Sequence, residues 1–139
     1  MVLEGVPPTI PALVRALDEL ALAAQDAPEA YIDDNDNAPP SQGMDGYKAT
    51  YARLAERFPN LGHYGVADPL EVPGEPMVGD AIDDLADIVG DLEKVLWRYE
   101  NISVADAHSE MQFSFKTHWG RHLRELGLYL HALQMAEQG

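Results

Sequence analysis

Two histidines lie four residues apart in the stretch KTHWGRHL, which occupies residues 116–123. Four residues is just over one turn of α-helix, so in a helix the imidazoles of His118 and His122 point to the same side. This is a spacing at which two imidazoles bind one zinc ion. The structural alternative is that both rings pack within an ordinary helix and are satisfied by hydrogen bonds.

A zinc site needs a third ligand, and close to the histidine pair the sequence offers Glu125. The known two-histidine hydrolase motif carries a glutamate directly after its first histidine, and Trp119 stands there in this chain. The sequence therefore favours structural histidines and no cofactor. The alternative is a protein that binds zinc or another divalent metal, or a metallohydrolase, centred on His118 and His122.

Aspartates recur at helical spacing in the segment DAIDDLADIVGDLEKVLWRYE, residues 80–100. A complete apolar stripe occupies the opposite side of the same predicted helix. Because a buried, unpaired carboxylate is very costly, we expect the aspartates to face water. They would form an acidic face that attracts a basic protein partner. The face comprises Asp80, Asp84, Asp87 and Asp91.

The net charge of −15 limits the choice of partner. It opposes binding to nucleic acid and to anionic membranes, both of which attract cationic surfaces. Lys and Arg are absent between Arg57 and Lys94, so the negative charge is concentrated there. The most favoured function is a small acidic, non-enzymatic protein–protein interaction module that binds a basic partner.

Several classes of chemistry lack their sequence signals. The chain has no cysteine, which excludes disulfides, thiolate zinc sites and a cysteine nucleophile. It has no G-x-S-x-G turn and no phosphate-binding or dinucleotide-binding glycine motif. We therefore assign no catalytic residue. The N-terminus lacks the pattern of a signal peptide and no apolar run is long enough to cross a membrane, so we expect a cytoplasmic protein.

Apolar periodicity predicts an all-α fold, a single domain over residues 1–139 with about four main helices and long irregular connections. No segment shows sustained two-residue alternation. The run DDNDN in the first connection lacks the glycine and glutamate of a calcium-binding loop, so a solvated loop is expected. The predicted helices run from Thr9 to about Ala27, from Asp45 to about Phe58, from Val78 to Tyr99, and from Ser103 to about Glu137.

The last helix carries a second apolar surface. Leu128 and Met135 lie opposite its main stripe, seven residues apart and therefore on one side. Exposed apolar groups of this kind often belong to an interface. We expect a second contact surface here, such as that of a homodimer.

The acidic segment quoted above, followed by MQFSFKTHWGRHLRELGLYLHAL, resembles a family of small bacterial proteins known only as a domain of unknown function. Members of that family carry a similar acidic DDLADI helix and a C-terminal HWGRH helix. The resemblance covers roughly the C-terminal half of the chain, and the His-Trp-Gly-x-His cluster is its most distinctive part. It implies an all-α bacterial protein. It implies no activity, and no functional residue is carried over.

Overall fold

A computed structural model describes residues 3–28 and 38–138. Within these ranges the all-α prediction is confirmed, because helices dominate and the one described sheet is a two-stranded hairpin. The last predicted helix is a continuous run of three pieces, of which the middle one is a π-helix at Phe115–Trp119. The elements are α1 (Ile10–Asp26), α2 (Gly43–Arg57), β1 (His63–Val66), β2 (Met77–Asp80), α3 (Ala81–Asn101), α4 (Val104–Ser114) and α5 (Gly120–Gln138).

Helix α3 is the central element, since it packs against α2, α4 and α5. Its apolar side is buried as predicted, with Leu85 and Val89 fully covered. Trp119 and Leu126, from the last helical run, belong to the same core. The predicted stripe is wrong at its two ends, because Val78, Leu96 and Tyr99 are exposed. Val78 belongs to β2 and precedes the helix, while Leu96 and Tyr99 lie near the C-terminal end of α3, so periodicity does not report burial at either end.

Side-chain caps fix where the helices begin. The Thr9 hydroxyl accepts a hydrogen bond from the backbone of Ala12, and Ser103 does the same for Asp106. Asp80 caps α3 by accepting from the backbone N–H of Ile82 at 2.9 Å. Helix α3 therefore starts at Ala81 and not at the predicted Val78.

The residues before α3 form the hairpin that the sequence did not predict. Strands β1 and β2 pair antiparallel, with Tyr64 opposite Gly79. Each strand has four residues and contains a glycine. So short a pattern cannot be separated from an irregular connection by alternation alone.

The π-helical segment brings one extra residue into the last helical run. Buried positions step by seven from Ala107 to Ser114, then by five to Trp119, then by four to Leu123. The five-residue step is the π-turn, and the indole N–H of Trp119 donates to the Ser114 hydroxyl across it at 3.0 Å. The extra residue lets both α4 and α5 direct a covered side toward the core. The π-helical segment also contains His118, the first histidine of the pair.

Two further predictions, the second contact surface and the solvated DDNDN loop, are not decided by the described residues. Leu128 and Met135 are 72% and 58% exposed, so no described part of the chain covers them, and an interface there stays a prediction. The DDNDN run, residues 33–37, lies outside the described residues. None of the described helices is long and apolar enough to cross a membrane.

Candidate metal centre

The candidate site lies where α3 faces the junction between the π-helical segment and α5. Asp84, Asp87 and Asp91 follow one another at intervals of three and four residues, so they share one side of α3. The two histidines stand opposite this side, with their ring centroids 5.0 Å apart and nearly perpendicular. An aspartate stripe on one helix thus faces a histidine pair on another.

Asp87, His118 and His122 form a set suited to a metal ion. One ligand atom from each residue lies within 4.8 Å of the other two. Nε2 of His122 is 3.3 Å from Oδ2 of Asp87. Two ligands of a tetrahedral ion at zinc distances lie about 3.4 Å apart, so this pair is already at a suitable separation.

Each histidine is oriented by a second carboxylate. Nδ1 of His122 lies 2.7 Å from Oδ1 of Asp84. Nδ1 of His118 lies 2.5 Å from Oδ2 of Asp91. With Nδ1 occupied on both rings, Nε2 is the nitrogen that remains for a metal. Carboxylates that hold the outer nitrogen of a ligating histidine are the usual surroundings of protein metal sites.

The charges at the site favour a bound cation. Burial raises the pKa of Asp87, and the negative charge of neighbouring Asp83 raises it further. The hydrogen bond that the His122 imidazole donates to Asp84 raises the pKa of His122, against the opposing effect of burial. The carboxylates therefore attract positive charge, which either a proton on His122 or a divalent ion can supply.

The structure corrects the prediction that the four aspartates face water. Asp84 is 3% exposed and Asp91 is 8% exposed, while Asp80 and Asp87 are half-buried. The prediction assumed that α3 buries only its apolar side. Helix α3 is instead covered on both sides, and hydrogen bonds from histidines and tyrosines offset the cost of burying the carboxylates. Asp84 and Asp91 are not available as a free acidic surface.

The histidine predictions hold in part. His122 is hydrogen-bonded, as the structural alternative predicts, and its partner is Asp84 of α3; its side chain is half-buried. His118 is about half exposed. Glu125 is not part of the three-residue ligand set and instead accepts from Nε of Arg121 at 2.7 Å. Asp87 takes the position that the sequence assigned to Glu125.

Three tyrosine hydroxyls were not predicted as part of the site. Tyr47 and Tyr51 of α2 donate to Asp83 and Asp80 respectively. Tyr64 of β1 donates to Asp84. Burial and these carboxylates raise the pKa of Tyr47 and Tyr64, so both hydroxyls keep their protons and act as donors. Nothing in the spacing of these tyrosines indicates carboxylate partners.

Solvent reaches the site from two sides. A cleft of about 850 Å³ is lined by Asp87, Asp91 and His118 together with Tyr47 and Trp97. A second cleft, of about 530 Å³, has His122 and Glu125 in its wall. An ion held by the three residues would therefore be accessible, with coordination positions open to water or a small ligand.

Comparison with known proteins identifies the family. The model described as Domain of unknown function (DUF5063) matches residues 3–136. The chain belongs to this family. The resemblance noted in the C-terminal half thus extends over nearly the whole chain.

A solved structure shares the fold. The crystal structure of protein BF1032 from Bacteroides fragilis is similar, with a TM-score of 0.70 at 20% sequence identity. The match covers 89% of this chain and 74% of that chain. No curated protein matches the sequence. The comparisons establish the family and the fold, and they leave the function open.

Proposed function

We propose that this DUF5063 protein binds a divalent transition-metal ion through Asp87, His118 and His122. The observation that supports it is the arrangement of the two imidazoles, each held at Nδ1 by its own buried aspartate and each left with Nε2 for a ligand. Two separate histidines oriented in this way toward one carboxylate are more than packing requires. Two histidines and one carboxylate with open positions are a ligand set found for both zinc and non-haem iron.

The two clefts support a reactive role for the ion. Three protein ligands leave at least one position for water, and a metal ion lowers the pKa of bound water toward neutrality. The cleft beside His118 has room for a small molecule next to that position. A metallohydrolase is therefore the enzymatic form of this proposal.

Isothermal titration of chelator-treated, tag-free protein with zinc tests the proposal. We expect one ion per chain, and at least a tenfold loss of affinity in Asp87→Asn, His118→Ala and His122→Ala because each removes a direct ligand. The matched control is His131→Ala, which removes an exposed imidazole of the same α5 helix. A parent protein that does not bind zinc, iron(II), manganese or nickel would refute the proposal.

A basic protein partner is the second candidate, and the net charge of −15 favours it. The acidic side chains available for it are the exposed ones, such as Glu71 and Glu75 in the connection between the strands. The two candidates differ in their response to a chelator. A chelator removes a metal function and leaves charge-driven association unchanged, whereas added salt weakens the association.

A further inference from the structure

Tyr64 of β1 is held in position by one residue of β2 and one residue of α5. Its ring stacks on the ring of Tyr129, with centroids 4.7 Å apart and planes 10° from parallel. On the strand side it lies over Gly79, where a Cβ atom would come within 2.7 Å of Tyr64 Cζ. Any larger residue at position 79 would displace the ring. The two neighbours together determine where the hydroxyl of Tyr64 points.

That hydroxyl donates a hydrogen bond to Asp84, the carboxylate that orients His122. Asp84 is buried, and both of its oxygens are occupied: Oδ2 accepts from Tyr64 and Oδ1 pairs with Nδ1 of His122. A carboxylate held at one oxygen cannot rotate freely, so its other oxygen fixes the plane of the imidazole. Tyr64, Asp84 and His122 therefore form a chain of hydrogen bonds that ends at a candidate metal ligand.

Of the other tyrosines that the structure describes, none donates to a carboxylate that holds His118 or His122. Tyr51 donates to Asp80 at 2.7 Å, and Asp80 makes its other hydrogen bonds to the start of α3. On the other half of the site, Asp91 has Lys94 at 3.9 Å as its second neighbour. Within the histidine pair, the tyrosine connection thus reaches His122 and not His118; Tyr51 and Asp80 lie instead near His63, whose Nε2 is 3.9 Å from Oδ2 of Asp80.

We propose that Tyr64 is a positioning residue of the metal centre, which acts through Asp84 to hold His122 in its ligating orientation. The role rests on the proposed function, and it connects the hairpin to the site. Outer partners of ligating histidines change metal affinity by roughly 10–100-fold when they are removed. Tyr64 is one bond further out, so about a tenfold loss is expected.

The test is Tyr64→Phe against the matched control Tyr51→Phe, each titrated with zinc. Phenylalanine keeps the ring that stacks on Tyr129 and removes only the hydroxyl. We expect about tenfold weaker zinc binding in Tyr64→Phe and less than a twofold change in Tyr51→Phe. Gly79→Ala, which displaces the ring without altering a polar group, should weaken binding in the same direction. Equal affinities in Tyr64→Phe and Tyr51→Phe would overturn the positioning role while leaving the metal site in place.

A second measurement separates this inference from the proposed function. Nitrogen-15 NMR of the imidazoles in metal-free protein reports tautomer and hydrogen bonding without any ion. We expect Tyr64→Phe to move the ring signals of His122 and to leave those of His118 in place. If the parent binds no zinc but this selective shift is seen, the metal function fails and the hydrogen-bonded chain stands. If the His122 signals do not move, the inference is wrong whether or not zinc binds.

Discussion

Zinc should raise the melting temperature of this protein, and the size of the rise can be calculated. A ligand that binds only the folded state at 100 times its Kd stabilises that state by about 2.7 kcal/mol. For a chain of 139 residues the entropy of unfolding is about 0.3 kcal/mol per kelvin. The melting temperature of the parent should therefore rise by about 9 °C.

The variants should be compared by the rise in melting temperature that zinc causes, because their metal-free melting temperatures also differ. His122→Ala leaves Oδ1 of the buried Asp84 without its partner, while Oδ2 keeps Tyr64, and this costs about 1–3 kcal/mol and lowers the metal-free melting temperature. His118→Ala should cost less, since this side chain is about half exposed.

Differential scanning fluorimetry in zinc and in chelator measures both effects. The zinc increment should vanish in His118→Ala, His122→Ala and Asp87→Asn and persist in His131→Ala. An increment of equal size in all five proteins would show that zinc binds elsewhere. A parent whose melting temperature does not rise at saturating zinc would show that the folded protein has no zinc site.

Three other predictions concern pH, the π-helical segment and the exposed apolar surface. The pKa of His122 is raised in the folded state, so its contribution to stability is fully present below the unfolded value of 6.5 and is lost as pH rises through the folded value. Urea unfolding of metal-free protein should thus give lower stability at pH 8.5 than at pH 6, with a smaller difference in His122→Gln. The stabilisation by zinc should rise over the same pH range, because the ion and the proton compete for the same imidazole. An unchanged pH profile in His122→Gln would contradict this. A Cβ at Gly120 would lie 2.3 Å from the Phe115 carbonyl oxygen, whereas one at Gly127 meets open space. Gly120→Ala should therefore destabilise the protein and Gly127→Ala should stabilise it by about 0.5–1 kcal/mol in the same unfolding assay, and the opposite order would show that the π-turn is misplaced. If Leu128, 72% exposed, belongs to a homodimer interface, Leu128→Glu should sediment as a monomer where the parent is a dimer; identical sedimentation of parent and variant would exclude this interface.

The helices were predictable because their signals are local. Thr9 and Ser103 cap helices where expected, and the buried side of α3 follows its apolar periodicity. The hairpin was not predictable, because four-residue strands with glycines carry no usable alternation. The π-turn was missed because its signal is a single five-residue step from Ser114 to Trp119, within a pattern otherwise typical of α-helix.

The site was predicted in its parts but not in its assembly. The histidine pair was found from its spacing, and so was the aspartate stripe, but each was interpreted separately. Their pairing depends on how α3 faces α5, which is a tertiary property. The cost of burying the Asp84 carboxylate is offset only when Tyr64 and His122 are both in place. These residues are 20 and 38 positions away in the chain. A carboxylate stripe and a histidine pair at matching helical spacing are the signal that could have indicated a shared site.

The most direct test of the metal proposal is a crystal structure of zinc-loaded protein with anomalous diffraction at the zinc edge. We expect one anomalous peak, about 2.0–2.2 Å from a carboxylate oxygen of Asp87 and from Nε2 of both His118 and His122. Asp84 and Asp91 should remain on the Nδ1 atoms. No peak at this site in crystals soaked at saturating zinc, or a peak only elsewhere, such as between His63 and Asp80, would show that Asp87, His118 and His122 do not form a metal site.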